Sequence, residues 1–383
     1  MLKRTPLFAA HQRLGGRLVE FGGWEMPVQY STIVDEHLAV RRAGGLFDIS
    51  HMGEVMVSGI GALAFLNRLL TNDAARLDVG QGQYTLMCNE KGGVVDDLYL
   101  YRLAEQDYLL IINASRIDED VSWIQKQRAT VPDRAGTKLE NQSDSLGAVA
   151  LQGPLVRAFI DKVFPGPFTG GHPVAHASDL KKNQISGTIF LGAMAWIGCT
   201  GYTGEDGFEV IAPGAVLEDV WTQLLAAGHA HRLQPAGLGA RDTLRTEVCY
   251  PLYGHELDAQ TSPIEAGLGF FVSLDKGPFI GREILAQQKL HGTTRKCIAF
   301  KMTDKSAPPR PGYAIWGSGA DASKIGVVVS GTQSPCLNIG IGLGYVPAEL
   351  AQAGSPIEIE IRERRSPAVI VAKPIYRKEP AST

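Results

Sequence analysis

Apolar and polar positions along the chain follow two periods, one helical and one of strand type. Residues 33–43 carry apolar side chains at 34, 38 and 39, a helical spacing, and Gly44-Gly45 is expected to end that helix as a C-cap. Residues 54–57 alternate as a strand, and residues 62–70 read as a helix. Strand-like runs follow at 84–88, 93–102 and 108–113. A helix over 117–127, a strand over 146–152 and a helix over 155–163 come next. The turn-rich segment 165–187 reads as a long connection. Strands at 188–199 and 207–212 then flank a Gly-rich turn, and helices cover 216–227 and 240–247.

After about residue 281 the pattern changes. Beyond one helix at 282–289, nearly everything is strand and turn, with strands at 296–302, 324–330, 339–344, 357–361 and 369–375. The strict alternation of Ile357-Glu358-Ile359-Glu360-Ile361 marks a strand with one buried and one wet face. The expectation is an α+β protein with a region at 1–280, built of two interleaved α+β domains, and a small β-barrel or sandwich at 281–383.

Composition narrows the function classes. Hydrophobic residues make up 44% of the 383 and charged residues 20%, which excludes disorder for the chain as a whole. With 37 Lys+Arg against 40 Asp+Glu, the net charge of -3 offers no basic excess for nucleic acid. Five scattered cysteines without a CxxC pair argue against a disulfide framework and against a zinc or iron–sulfur site. No apolar run reaches the length of a membrane span, and the first residues have no leader-like pattern. A cytoplasmic protein without a metal is expected.

Three runs hold residue types suited to chemistry. Asp96-Asp97 interrupts an apolar strand, where a desolvated carboxylate is costly unless paired or used. Neighbours on a strand point to opposite faces, so the two are not a proton-sharing dyad and at most one enters a given pocket. A strand end with both solvated is the other reading. In Gly201-Tyr202-Thr203-Gly204-Glu205-Asp206-Gly207-Phe208-Glu209-Val210 the glycines allow a tight turn and close approach to a ligand. Glu209 follows on a strand, either as an exposed residue or as an acceptor for two parallel N–H donors of a pterin-like edge. Arg241 and Arg245 share a helical face, as an anion clamp or as a surface ion-pair network.

These runs, taken with others, resemble the aminomethyltransferase (T-protein) family of the glycine cleavage system. The resemblance is carried by Arg4-Thr5-Pro6-Leu7, Phe21 through Tyr30, Leu46 through Gly53, Gly92 through Leu98, Leu151 through Pro154, Gly201 through Glu209, Ala240 through Arg245, Pro251 through Leu257 and Gly340 through Val346. It covers the chain from end to end. One departure is Glu247-Val248-Cys249, where the family more usually has a Glu-Ala-Gly type sequence.

The resemblance implies a three-domain cloverleaf around a central folate channel. It implies transfer of an aminomethyl carbon from the lipoyl arm of an H-protein to tetrahydrofolate, giving methylenetetrahydrofolate and ammonia. By position, the family's catalytic aspartate falls on Asp97, its pterin-binding glutamate on Glu209 and its folate-contacting arginine on Arg241. Tyr84, Asn113, Tyr202 and Met52 match positions lining the folate site, and Arg377 matches a late basic residue of some members. Two alternatives share the fold: a folate-dependent demethylase of a small N- or S-methyl substrate, and a non-enzymatic folate-binding relative. The first in its oxidoreductase form would need a flavin-binding Gly-rich start, and the second carries a cysteine-containing signature at 201–205; neither is present.

Overall fold

The computed structural model describes residues 2–131, 136–319 and 323–378. The chain divides into two compact units. The first comprises Met1–Cys88, Val95–Arg241 and Ser273–Ile280; the second comprises Asn89–Val94, Asp242–Val272 and Gly281–Thr383.

Two large sheets organise the first unit. One has seven strands in the order Phe168–Gly171, Ile185–Phe190, Ala193–Gly198, Gly207–Pro213, Leu146–Gln152, Gly44–Asp48 and Leu233–Pro235. Its inward side chains, among them Leu46, Val149, Leu151, Phe208 and Val210, pack on the helix Gly214–Gly228. That helix meets them with Leu217, Val220, Trp221 and Leu224, the 3–4 spacing of a buried stripe. The other sheet has five strands in the order Gln81–Cys88, Val94–Ala104, Asp107–Ile112, Gly53–Ser58 and Lys138–Asn141. Val55, Val57, Leu98, Leu100, Leu110 and Ile112 form its apolar face, covered by the helices Ala62–Leu69 and Ile117–Ala129. Alternation leaves the opposite faces of both sheets for other work.

Several elements differ from the expectation. The helix Ile33–Arg42 is opened by Thr32, whose hydroxyl accepts from the Asp35 N–H at 3.1 Å. Gly44 and Gly45 are not its C-cap: they begin the strand Gly44–Asp48. A methyl on Gly45 would lie 2.4 Å from Val40 Cγ2, so glycine serves close helix–strand packing there. The expected strand at 188–199 is a hairpin, Ile185–Phe190 with Ala193–Gly198, turning at Leu191 (φ 48°) and Gly192 (φ 82°). Both turn residues are left-handed, the geometry that suits a two-residue hairpin, although leucine is a poor signal for it. The segment 165–187 contains an edge strand, Phe168–Gly171. The expected helix at 155–163 is two short turns, Val156–Ala158 and Ile160–Val163, broken at Phe159.

The second unit contains a closed six-stranded barrel, ordered Arg295–Met302, Ile339–Pro347, Lys324–Ser334, Ala314–Gly317, Pro356–Ile361 and Arg364–Val371. Ile357, Ile359 and Ile361 point into its core with Phe300 and Ile315, as their alternation required. Gly342 and Gly344 leave room for those large side chains, since a methyl on either would come within 2.5 Å of Phe300 or Ile315. The strand expected at 369–375 instead runs Arg364–Val371, after a turn in which Arg362 and Glu363 both have positive φ. Arg245 is also in this unit and is no surface network. It is 1% exposed and donates to Glu256 at 3.0 Å and to the Ser330 hydroxyl at 2.7 Å.

Candidate active site

The aspartate pair sits near the start of the long strand Val94–Ala104, and both members are buried. The solvated reading is therefore wrong. Parity holds: Asp96 turns toward the face with Leu98 and Leu100, and Asp97 toward the face with Tyr99 and Tyr101. Asn113, just past the end of the neighbouring strand, ties the two together. Its backbone N–H donates to Asp96 Oδ2 at 3.0 Å, and its Nδ2 reaches Asp96 Oδ1 at 2.8 Å and Asp97 Oδ1 at 3.1 Å. Tyr84, on the strand Gln81–Cys88, donates its hydroxyl to Asp97 Oδ2 at 2.9 Å. Burial, with the Asp96 charge adding to it, pushes the Asp97 carboxyl up to about 7, while the bonds from Tyr84 and Asn113 work the other way. A carboxyl so placed exchanges a proton at neutral pH with little cost in either direction.

Strand register explains why residues distant in sequence converge. Tyr99 pairs with Ile111, and Gly53 with Ile112. Continuing that register puts Asp97, Asn113 and Met52 in one row across three strands. The next row on the same face holds Tyr99, Ile111 and Glu54.

Glu209 lies on the strand Gly207–Pro213, between the core residues Phe208 and Val210 and on the face away from that core. Its cross-strand neighbours are the small residues Ala150 and Gly198. A methyl on Gly198 would come 2.6 Å from the Tyr101 hydroxyl, so Tyr101 fills the space over Gly198 on the Glu209 face. Burial raises the Glu209 carboxyl above its ordinary range, and the Arg241 guanidinium counteracts that. Arg241 stacks over the Tyr202 ring, 4.6 Å from its centroid. His51 stays neutral, held down at about 4 by burial and by Arg241.

The Gly-rich turn approaches a protein side chain closely. Methyl groups on Gly201 and Gly207 would fall 1.8 Å and 2.3 Å from the Gln152 amide. That amide donates to the Thr200 carbonyl at 3.0 Å and accepts from the Thr203 hydroxyl at 2.9 Å. Arg41 holds the same turn, donating to the Thr203 carbonyl at 2.7 Å and to Glu205 at 3.1 Å. Glycine is needed here for Gln152, and the fixed turn presents Tyr202.

Asp97, Glu209, Arg241, Tyr84, Asn113, Tyr202 and Met52 all belong to the first unit, and the contacts above link most of them. Arg377 belongs to the second unit, exposed beyond the last barrel strand. Sequence reasoning missed Gln152, Tyr101, Glu54 and Asp120. For Asp120 a signal existed: it lies three residues after Ile117 and four before Ile124, on the apolar stripe of its helix.

The GCVT N-terminal domain matches residues 7–276, and the glycine cleavage T-protein C-terminal barrel domain matches residues 295–377. The aminomethyltransferase of Geobacillus kaustophilus is 45% identical over 379 residues, covering 99% of this chain and 100% of that one. That of Bacillus subtilis is 43% identical over 379 residues, with the same coverage. The crystal structure of the glycine cleavage system aminomethyltransferase T from Bartonella henselae superposes with a TM-score of 0.88 at 31% identity, covering 98% of each chain. A buried carboxyl between Tyr84 and Asn113, a strand glutamate under the influence of Arg241 and the closed barrel thus occur in a chain that belongs to the glycine cleavage T-protein family.

Proposed function

We propose that the protein is the tetrahydrofolate-dependent aminomethyltransferase of the glycine cleavage system. In this reading it moves an aminomethyl carbon from the lipoyl arm of an H-protein to tetrahydrofolate and releases ammonia. The observation that carries the proposal is Asp97, a buried carboxyl that accepts the Tyr84 hydroxyl and the Asn113 amide.

The transferred carbon exchanges bonds to sulfur and nitrogen for bonds to two folate nitrogens, so positive charge builds on it as the first leaving group departs. An ionised Asp97 stabilises that charge and accepts a proton from an attacking folate nitrogen. Of the two protons the folate nitrogens give up, one ends on the lipoyl sulfur and one on the departing amino group, which leaves as ammonia. Glu209, whose strand neighbours Ala150 and Gly198 are small, is suited to the N–H edge of a pterin. Arg241 and Tyr202 present a cationic, aromatic wall on which a flat ring or a carboxylate can rest. Met52 and Asn113 complete the row beside Asp97, and Arg377 is assigned a late basic contact by the family pattern alone. No metal takes part in the transfer as written. Action in the cytoplasm accords with two features: no described helix is long and apolar enough to cross a membrane, and all five cysteines are free thiols.

The test incubates the protein with tetrahydrofolate and an aminomethylated, lipoylated carrier and follows ammonia and methylenetetrahydrofolate. Asp97→Asn should lower turnover by on the order of a hundredfold or more with folate affinity little changed. Brisk demethylation of a free methylamine, with no response to the carrier, would replace this reading by the demethylase one.

A further inference from the structure

Behind Asp97 lies a second carboxyl pair. Asp120, on the helix Ile117–Ala129, is fully buried, and its carboxyl faces that of Asp96. The two differ in what else surrounds them. Burial raises the Asp96 carboxyl, but Asp96 accepts two N–H bonds from Asn113, which favour its ionised, acceptor-only form. No N–H or hydroxyl reaches either oxygen of Asp120, and the Arg116 Nε is 4.0 Å away. An ionised Asp120 would be a buried anion without a donor against a second anion; a protonated one has its single O–H directed at Asp96.

We propose that Asp120 is a positioning residue for the transfer: it acts as a permanent carboxylic acid whose donated hydrogen bond keeps Asp96 ionised, and Asp96 in turn orients Asn113 and loads a negative charge against Asp97. The proposal rests on the reading of Asp97 as the catalytic carboxyl. The chain of groups runs Asp120, Asp96, Asn113, Asp97, Tyr84, from the helix through the strand Val94–Ala104 to the strand Gln81–Cys88. Its other charged or titratable neighbours are Arg116 and Glu119, which face Asp120 from its own helix region, and Tyr202, which faces Tyr84. Arg116 favours ionisation of Asp120 and Glu119 opposes it; burial and Asp96 outweigh Arg116 and push Asp120 up to about 11.

The consequence lies in the pH at which Asp97 works. A unit charge on the adjacent residue moves a carboxyl's titration by about one to two pH units at an effective dielectric of about 20–40. With Asp96 ionised, Asp97 is held near neutrality, where it can both take and return a proton. Without the donor from Asp120, Asp96 takes up a proton itself, its repulsion vanishes, and Asp97 becomes a weaker base.

The experiment records transfer rate against pH, with saturating tetrahydrofolate and carrier, for the native protein, Asp96→Asn, Asp120→Asn and Asp120→Leu. In parallel, the Asp97 carboxyl is titrated without substrate by carbon NMR of ¹³C-labelled aspartate. Asp96→Asn and Asp120→Leu should move the acid limb, and the Asp97 resonance, downward by about one pH unit or more. Asp120→Asn keeps an N–H donor toward Asp96 and should hold both near their native positions. A limb unmoved in Asp96→Asn, or moved equally by Asp120→Asn and Asp120→Leu, overturns the proposal. Should Asp120→Leu fail to fold, the contrast between Asp96→Asn and Asp120→Asn still decides. Asp97→Asn separates the two layers. If it retains full turnover, the reading of Asp97 falls and this inference with it; if it is inactive while the limb stays fixed in Asp96→Asn, only the inference falls.

Discussion

Glu54 offers a test of how burial alone reshapes stability. It sits on the strand Gly53–Ser58, is fully buried, and neither carboxyl oxygen has a hydrogen-bond partner among the described residues. Burial is the sole cause that pushes its carboxyl up to about 8. In the unfolded chain a glutamate titrates near 4.3. Below that value both states are protonated and the group is neutral toward folding. Between about 4.3 and 8 the unfolded state releases its proton while the folded state retains it, so stability falls as pH rises and levels off above the folded value. At pH 7 the loss is about 2.7 pH units at 1.36 kcal/mol each, roughly 3–4 kcal/mol. Glu54→Gln preserves shape and an unpartnered polar end but removes the titration. The variant should match the native protein near pH 4.5 and exceed it by roughly 3 kcal/mol at pH 7. Urea unfolding, followed by circular dichroism and tryptophan fluorescence at several pH values, measures the gap. A gap that stays constant from pH 4.5 to 8 would refute the reasoning, because a partnered or solvated carboxyl gives that result.

Three further outcomes follow from the geometry. Glu209→Gln places a partial donor where N–H groups of a pterin would point, and should weaken folate binding by about 1–3 kcal/mol in a calorimetric titration. Cys249 adopts φ 61° just beyond the helix Leu238–Glu247, a left-handed conformation at the place where the family more usually has glycine. Cys249→Gly should therefore raise stability by about 0.5–1 kcal/mol, read as a higher urea midpoint. Glu256→Gln removes one of the two carboxylates paired with buried Arg245, the other being Asp242, and should cost about 1–3 kcal/mol, read as a lower urea midpoint.

What could be read in the sequence, and what could not, has a physical basis. The alternation at 357–361 is a period-2 signal and that strand formed as the pattern required, while the strand expected at 146–152 formed as a run buried on both faces. The hairpin at 185–198 escaped because its turn is Leu191-Gly192, and nothing local marks leucine for a left-handed backbone. Gly44 and Gly45 resembled a helix stop, but they open a strand packed against Leu233 and Val156 at Gly44 and against Val40 at Gly45. In the site, parity separated Asp96 from Asp97, while the choice between them rested on the family resemblance. Gln152 and Glu54 were silent because their significance lies in what surrounds them after folding. Spacing cannot show that an amide will anchor a turn some fifty residues away, or that a strand carboxyl will find no donor.

The turn wound around Gln152 has a thermodynamic meaning for any ligand that meets Tyr202. Thr203, Glu205 and the Thr200 carbonyl are already tied down by Gln152 and Arg41. Fixing the backbone of each residue costs about 1–2 kcal/mol in entropy, and here that loss occurs when the chain folds. A ligand arriving at this wall finds it preorganised, so its affinity is not reduced by the ordering of a loop. Loosening the turn at Gln152 should therefore weaken binding mainly through entropy.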